Sequence, residues 1–232
     1  MQHSFKCIAR IYNDYSVRFG IPRQSGIIED IESKIIFEPE YRCNDAIRGL
    51  EEFSCLWLIW LFTETVRDSY KPTVRPPKLG GNRRVGVFAT RSPFRPNPIG
   101  LSCVTLSRID MDCADAPVIY VKGADLMNGT PLFDIKPYIP YTDCRPEALS
   151  GFSKPPSEPA LKVECSDVLS EKIPPALKTP LFKILSLDPR PGYHNDDKRI
   201  YSFEYGGLRI SFTVSEGVLK VNEVNIISEG KL

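Results

Sequence analysis

The sequence predicts a mainly β protein, a barrel or sandwich followed by a small α+β unit, and three observations carry that prediction. Short apolar runs rich in β-branched and aromatic residues recur along the chain. Clusters of Gly, Pro and Asn separate them, and a clear helical pattern occurs only once before residue 145. Strands alternating with long helices are absent, and no G-x-G-x-x-G follows a strand, which argues against a dinucleotide-binding sheet.

In chain order, the expected strands are Phe5 to Ile11, Ser33 to Phe37, Cys55 to Phe62, Val85 to Thr90, Leu101 to Ile109, Val118 to Val121 and Pro131 to Tyr141. Asn44 to Phe53 reads as a short helix, with Asn44 as its cap and Ile47 and Leu50 on one face. The polar, proline-rich stretch RPEALSGFSKPPSEP, from Arg145, reads as a linker. The expected organisation is therefore a first domain over 1–144, a linker over 145–160 and a small domain over 161–232. In the last, a helix near Leu177 to Leu187 precedes a meander whose strands Ile200 to Tyr205, Leu208 to Val214 and Val218 to Ile227 turn at Gly206-Gly207 and at Ser215-Glu216-Gly217.

Composition limits the function. The 232 residues carry 30 Lys and Arg against 29 Asp and Glu, a formal net charge of +1, so attraction to a polyanion has to be local. The longest apolar run is too short to cross a bilayer, and no signal-peptide pattern opens the chain, so a cytoplasmic protein is expected. Seven cysteines without a C-x-x-C pair, and two histidines, fit reduced thiols better than disulfides or a metal centre.

The charge is indeed local. From Ser69 to Ile109 there is no acidic residue, while Lys71, Arg75, Lys78, Arg83, Arg84, Arg91, Arg95 and Arg108 are basic. Prolines at 72, 76, 77, 93, 96 and 98 stiffen the same window, so long cations sit on a backbone with little conformational freedom to lose on binding. A solvated basic surface loop is the plainer reading of this composition. A second stretch, GADLMNGTPLFDIKPYIPY (123–141), brings Asp125, Asp134, Lys136, Tyr138 and Tyr141 close along the chain. On a strand, Asp134, Lys136 and Tyr138 share a face, which is either a site or solvent-exposed. A third, GIPRQSG (20–26), holds Arg23 and Gln24 between glycines.

Taken in order, IPRQ, RPPKLGGN, GVFATRSPFRPNPIGLS, DLMNGTPLFDIKPYIPY and DPRPGY resemble the TrmO (YaeB-type) family of tRNA methyltransferases. The resemblance implies a single-sheet β-barrel, a homodimer, S-adenosylmethionine as methyl donor, and methylation of N6 of threonylcarbamoyladenosine beside the anticodon of threonine tRNA. It implies cofactor contacts at Pro22, Arg23, Gln24, Thr63, Glu64, Arg91, Leu101, Gly123, Ala124, Asp125 and Leu126. Positions 63 and 64 often read His-Gln in the family and are Thr-Glu here. Arg91 is expected to hold the cofactor carboxylate in paired hydrogen bonds. Lys78, Arg83, Arg84, Arg95, Arg190 and Tyr193 are expected to contact tRNA, the cations through phosphate and Tyr193 by stacking. Asp134 and Tyr138 are the expected acceptors of the N6 proton. Two other readings stand beside the enzyme: a non-catalytic RNA-binding adaptor, and a module recognised through its polyproline-like loop.

Overall fold

The computed structural model describes residues 4–67, 69–153, 161–190 and 196–227. The chain is mainly β. Six strands form the first sheet: β1 (Ala9–Tyr12), β2 (Glu32–Phe37), β3 (Cys55–Leu61), β6 (Ile99–Asp110), β7 (Val118–Lys122) and β8 (Pro131–Pro137). They close on themselves in the order β1-β2-β7-β6-β3-β8. Between β3 and β6 lies a ribbon of two residues per strand, β4 (Thr73–Val74) and β5 (Val85–Gly86).

Side-chain alternation explains the closure. In β3, Leu56, Leu58 and Trp60 point inward and are buried, while Cys55, Trp57, Ile59 and Leu61 point outward and are only partly covered. Ile11, Ile35, Val104, Ile119 and Leu132 fill the rest of the interior. Each fully buried Leu or Ile contributes about 1.5–3 kcal/mol.

Two local expectations change. Residues 44–53 form two 3₁₀ turns, Asn44–Ile47 and Leu50–Glu52, instead of one helix. Gly49 between them has φ +83°, a left-handed conformation that ends a helix. Ile47 and Leu50 still pack on the barrel core. The run from Val85 leaves its strand after Gly86 and becomes a 3₁₀ turn, Val87–Ala89, because Val87 is drawn into the interior.

After the short helix α1 (Pro140–Asp143), the C-terminal part contains β9 (Lys162–Glu164), α2 (Asp167–Glu171), α3 (Pro175–Ser186), β10 (Tyr201–Tyr205), β11 (Leu208–Ser215) and β12 (Val218–Ile226). The meander β10-β11-β12 forms with tight turns at Gly206-Gly207 and Glu216-Gly217. β9, invisible as a strand in the sequence, adds parallel to β12. The core under this sheet joins Leu181, Ile184 and Leu185 of α3 to Phe203, Ile210 and Phe212, and it also takes in Tyr15, Ile28 and Ile31 from the connection between β1 and β2. Residues from both parts of the chain therefore pack into this second core, beyond the covalent link through 145–160. Among the described residues, no helix is long and apolar enough to cross a membrane.

Candidate cofactor corner and basic cleft

The basic loop is built by its small polar residues as much as by its prolines. Thr90 Oγ1 donates to Val87 O (2.7 Å), Ser92 N–H donates to Thr90 Oγ1 (3.1 Å) and Phe94 N–H to Ser92 Oγ (3.3 Å). These are short-range side-chain turns, each satisfying a backbone group that a strand would have paired. Thr65 ties the loop to the end of β3, its one hydroxyl proton shared between Phe62 O (3.3 Å) and Pro93 O (3.4 Å). Phe62 N–H donates to Pro98 O (2.8 Å). Arg95 turns back on the same loop, its Nη1 donating to Thr90 O at 3.1 Å. Arg91 points the other way and is exposed.

Its partner is Gln24, whose side-chain carbonyl accepts from Arg91 Nη1. The Gln24 amide in turn donates to Arg23 O. Ser25 Oγ accepts from Cys103 N–H (3.2 Å), and Gly26 N–H donates to Gly123 O (2.8 Å), so segment 23–26 lies along β6 and the turn after β7. A Cβ on Gly123 would stand 3.2 Å from the Gly26 backbone, so the two backbones pack closely at this crossing and position 123, at φ +78°, favours glycine.

Beneath it runs a buried polar relay. Trp60 Nε1 donates to Ser102 Oγ (3.0 Å), and Ser102 Oγ donates to Asp125 Oδ1 (2.5 Å). Ser102 is 1% exposed. Burial raises the Asp125 pKa above the ordinary carboxylate value, while the Ser102 hydrogen bond, backbone hydrogen bonds and the Arg91 charge pull it down. Trp60 reaches Ser102 because position 100 is glycine: a Cβ there would sit 2.1 Å from the indole.

The structure thus gathers Arg23, Gln24, Arg91, Gly123 and Asp125. Pro22, Ala124 and Leu126 are buried and can offer only backbone to a ligand. Leu101 is 56% exposed on the outer face of β6. Thr63 and Glu64 occupy a 3₁₀ turn after β3, where Glu64 pairs with Arg18 at 2.5 Å. Asp134 and Tyr138 do not join the corner. Asp134 pairs with Lys136 (2.8 Å) and lies opposite Ile59 on the outward side of the sheet. Tyr138 packs its ring 5.7 Å from Trp57, and burial pushes its phenol pKa up.

The corner opens onto a cleft of about 2260 Å³ between the basic loop, residues 149–153 and the end of α3. Small-molecule sites occupy about 300–1,000 Å³, so this one has the size for a macromolecule. Arg84 and Arg95 line it with Arg67, Lys71 and Arg75. Arg83 is exposed but outside the lining. Lys78 stands in the 3₁₀ turn Pro77–Leu79, its side chain outside the described structure, and Tyr193 lies outside the described residues. Arg190 is committed internally: its Nε and Nη2 donate to the two Asp188 carboxylate oxygens at 2.8 and 2.9 Å, and its backbone carbonyl accepts from Arg23 (3.2 Å).

Sequence reasoning missed Ser102, Ser25 and Trp60. Alternation along β6 was the available signal, since it puts Gly100 and Ser102 on the same inward face as Val104.

The chain is similar to known proteins along most of its length. Residues 10–144 match the tRNA-methyltransferase O N-terminal domain, and residues 158–227 match the TrmO C-terminal domain. A tRNA (adenine(37)-N6)-methyltransferase of Escherichia coli is 40% identical over 200 residues, covering 84% of this chain and 85% of that relative. One of the same name from Eikenella corrodens is 37% identical, covering 74% and 97%. A relative from Pseudomonas aeruginosa, 36% identical over 85% of this chain and 86% of its own length, carries the words S-adenosylmethionine-dependent methyltransferase in its name. The crystal structure of TrmO from Pseudomonas aeruginosa superposes with a TM-score of 0.77 at 27% identity, covering 97% of this chain and all of that one. With both domain models matched in order over most of its length, the chain belongs to the TrmO family of tRNA methyltransferases.

Proposed function

We propose that this chain transfers a methyl group from S-adenosylmethionine to N6 of threonylcarbamoyladenosine beside the anticodon of tRNA, with threonine tRNA as the substrate. The observation that carries the reading is the Arg91–Gln24 contact above the buried Asp125 carboxylate, at the mouth of a basic cleft.

The residues present fit the cofactor. Arg91 offers an exposed guanidinium to a carboxylate, and Asp125 offers a carboxyl group to an ammonium or ribose hydroxyl. S-adenosylmethionine, when bound, supplies an activated methyl on a sulfonium. What remains for the protein is to orient N6, exclude water and accept one proton.

The proton acceptor is proposed among Asp134 and Tyr138, and this requires a second subunit. Both lie on the outward face of the β8-β3-β6 sheet, which also presents the half-covered Ile59 and exposed Leu101. A homodimer that covers this face would bring those groups and Leu101 next to a pocket. The protein is proposed to act in the cytoplasm. Arg84, Arg95, Arg83 and Lys78 are proposed to position the tRNA backbone, with Tyr193 stacking beside it. Arg190 is proposed to act through its ion pair, shaping the turn that receives Arg23.

Isothermal titration with S-adenosylmethionine tests the reading. Micromolar binding is expected; absence of binding at millimolar cofactor would leave an RNA-binding adaptor in its place.

A further inference from the structure

Among the aromatic rings in the lining of the basic cleft, those of Phe88 and Phe94 stand on the basic loop itself and serve neither the candidate cofactor corner nor the core. Phe88 is 72% exposed and Phe94 39% exposed, both on the stiff loop and both in the lining of the cleft. A guanidinium stands against each. The Arg67 guanidinium carbon is 4.5 Å from the Phe94 ring centre, and that of Arg95 is 6.0 Å from the Phe88 ring centre. Arg95 is itself pinned to Thr90 O, so the Phe88 pair is fixed by the loop.

We propose that Phe88 and Phe94 form a stacking platform for unpaired bases of an RNA loop, holding the nucleotides beside the methylated one. The proposal rests on the reading of this chain as a tRNA methyltransferase. The charge of the cleft selects the occupant. Arginines and lysines line it, and the one carboxylate among the described lining residues, Asp188, is already bonded to Arg190. Exposed flat apolar faces set among cations match a single-stranded polyanion that carries flat bases, since every base has a π-face to stack on a ring or a guanidinium. A paired helix hides those faces and would gain only the cations. An acidic protein partner would match the charge but would not distinguish looped from paired RNA.

The test is fluorescence anisotropy with two labelled RNAs of equal length, a stem-loop with an unpaired loop and a continuous duplex. The proteins are the full chain, Phe88→Ala, Phe94→Ala, the double variant and Phe88→Tyr. Removing a stacking ring is expected to weaken stem-loop binding by about tenfold for each ring. Duplex binding should change by less than about twofold, and the log-log salt slope should not move, because no phosphate contact is lost. Phe88→Tyr should bind as the wild type does. Unchanged cofactor binding certifies that the variants are folded. Stem-loop affinity unaltered in the double variant, or equal losses on both RNAs, would overturn the platform. Ring-dependent loop binding by a protein that transfers no methyl would keep the platform and sink the methyltransferase reading; methyl transfer with ring-independent binding would do the reverse.

Discussion

The guanidinium of Arg91 donates to the side-chain carbonyl of Gln24, 67 positions earlier in the chain, and this bond joins the basic loop to the first family motif. It makes Arg91 a shared element of the candidate cofactor corner and the cleft.

Arg91→Ala and Arg91→Lys should both lose cofactor affinity, by about 10- to 100-fold, since hydrogen bonds to charged groups contribute about 1.5–3 kcal/mol. Lys keeps the charge but not the planar fork. Arg91 is exposed, so thermal unfolding should shift little. Calorimetry checks the first statement and a melting curve the second; wild-type affinity in Arg91→Ala would remove it from the site.

Asp125→Asn should separate stability from function. Burial raises the native Asp125 pKa, so the native state holds that proton more tightly than the unfolded chain does. Stability from this group is complete below about pH 4 and is lost as pH rises through the native value. The amide cannot ionise, so it removes the cost of charging a buried group as pH rises. The expected result is a higher Tm than wild type at pH 7, a gap that closes as pH falls toward 4, and loss of methylation. A lower Tm at pH 7 would show that Arg91 and Ser102 overcompensate for burial.

Gly100→Ala should destabilise the barrel by about 1–3 kcal/mol through overpacking against Trp60, and should uncouple Trp60 from Ser102. In a chain of this size that is a Tm drop of roughly 2–4 °C per kcal/mol. An unchanged Tm would mean that the indole moves aside freely.

Truncation after residue 150 should not yield a stable barrel. It would strip the cover from Tyr15, Ile28 and Ile31, which are buried in the core beneath β10 to β12. Size-exclusion chromatography should find aggregate, and a soluble monomer that binds cofactor would refute the shared core.

Much of this was legible in the sequence. Period-two burial in β3 and β6 follows from side-chain alternation, and the acid-free window marked the loop that lines the cleft. What escaped has physical reasons. Gly49 ends a helix by its dihedral, which the apolar spacing of Ile47 and Leu50 does not report. β9 has three residues and pairs only in parallel with β12, a contact made after the tail folds. The Ser102–Asp125 bond joins β6 to the turn after β7 and forms only when the barrel closes, and the outward face of Asp134 is set by a bulge at Ile59/Trp60 that shifts β8 against β3.

The most direct measurement incubates the protein with S-adenosylmethionine and tRNA that carries threonylcarbamoyladenosine, then identifies nucleosides by mass spectrometry. One added methyl on that nucleoside is expected with the wild type, and none with Arg91→Ala. No methyl transfer by the wild type, or a methyl appearing on another nucleoside, would contradict the account.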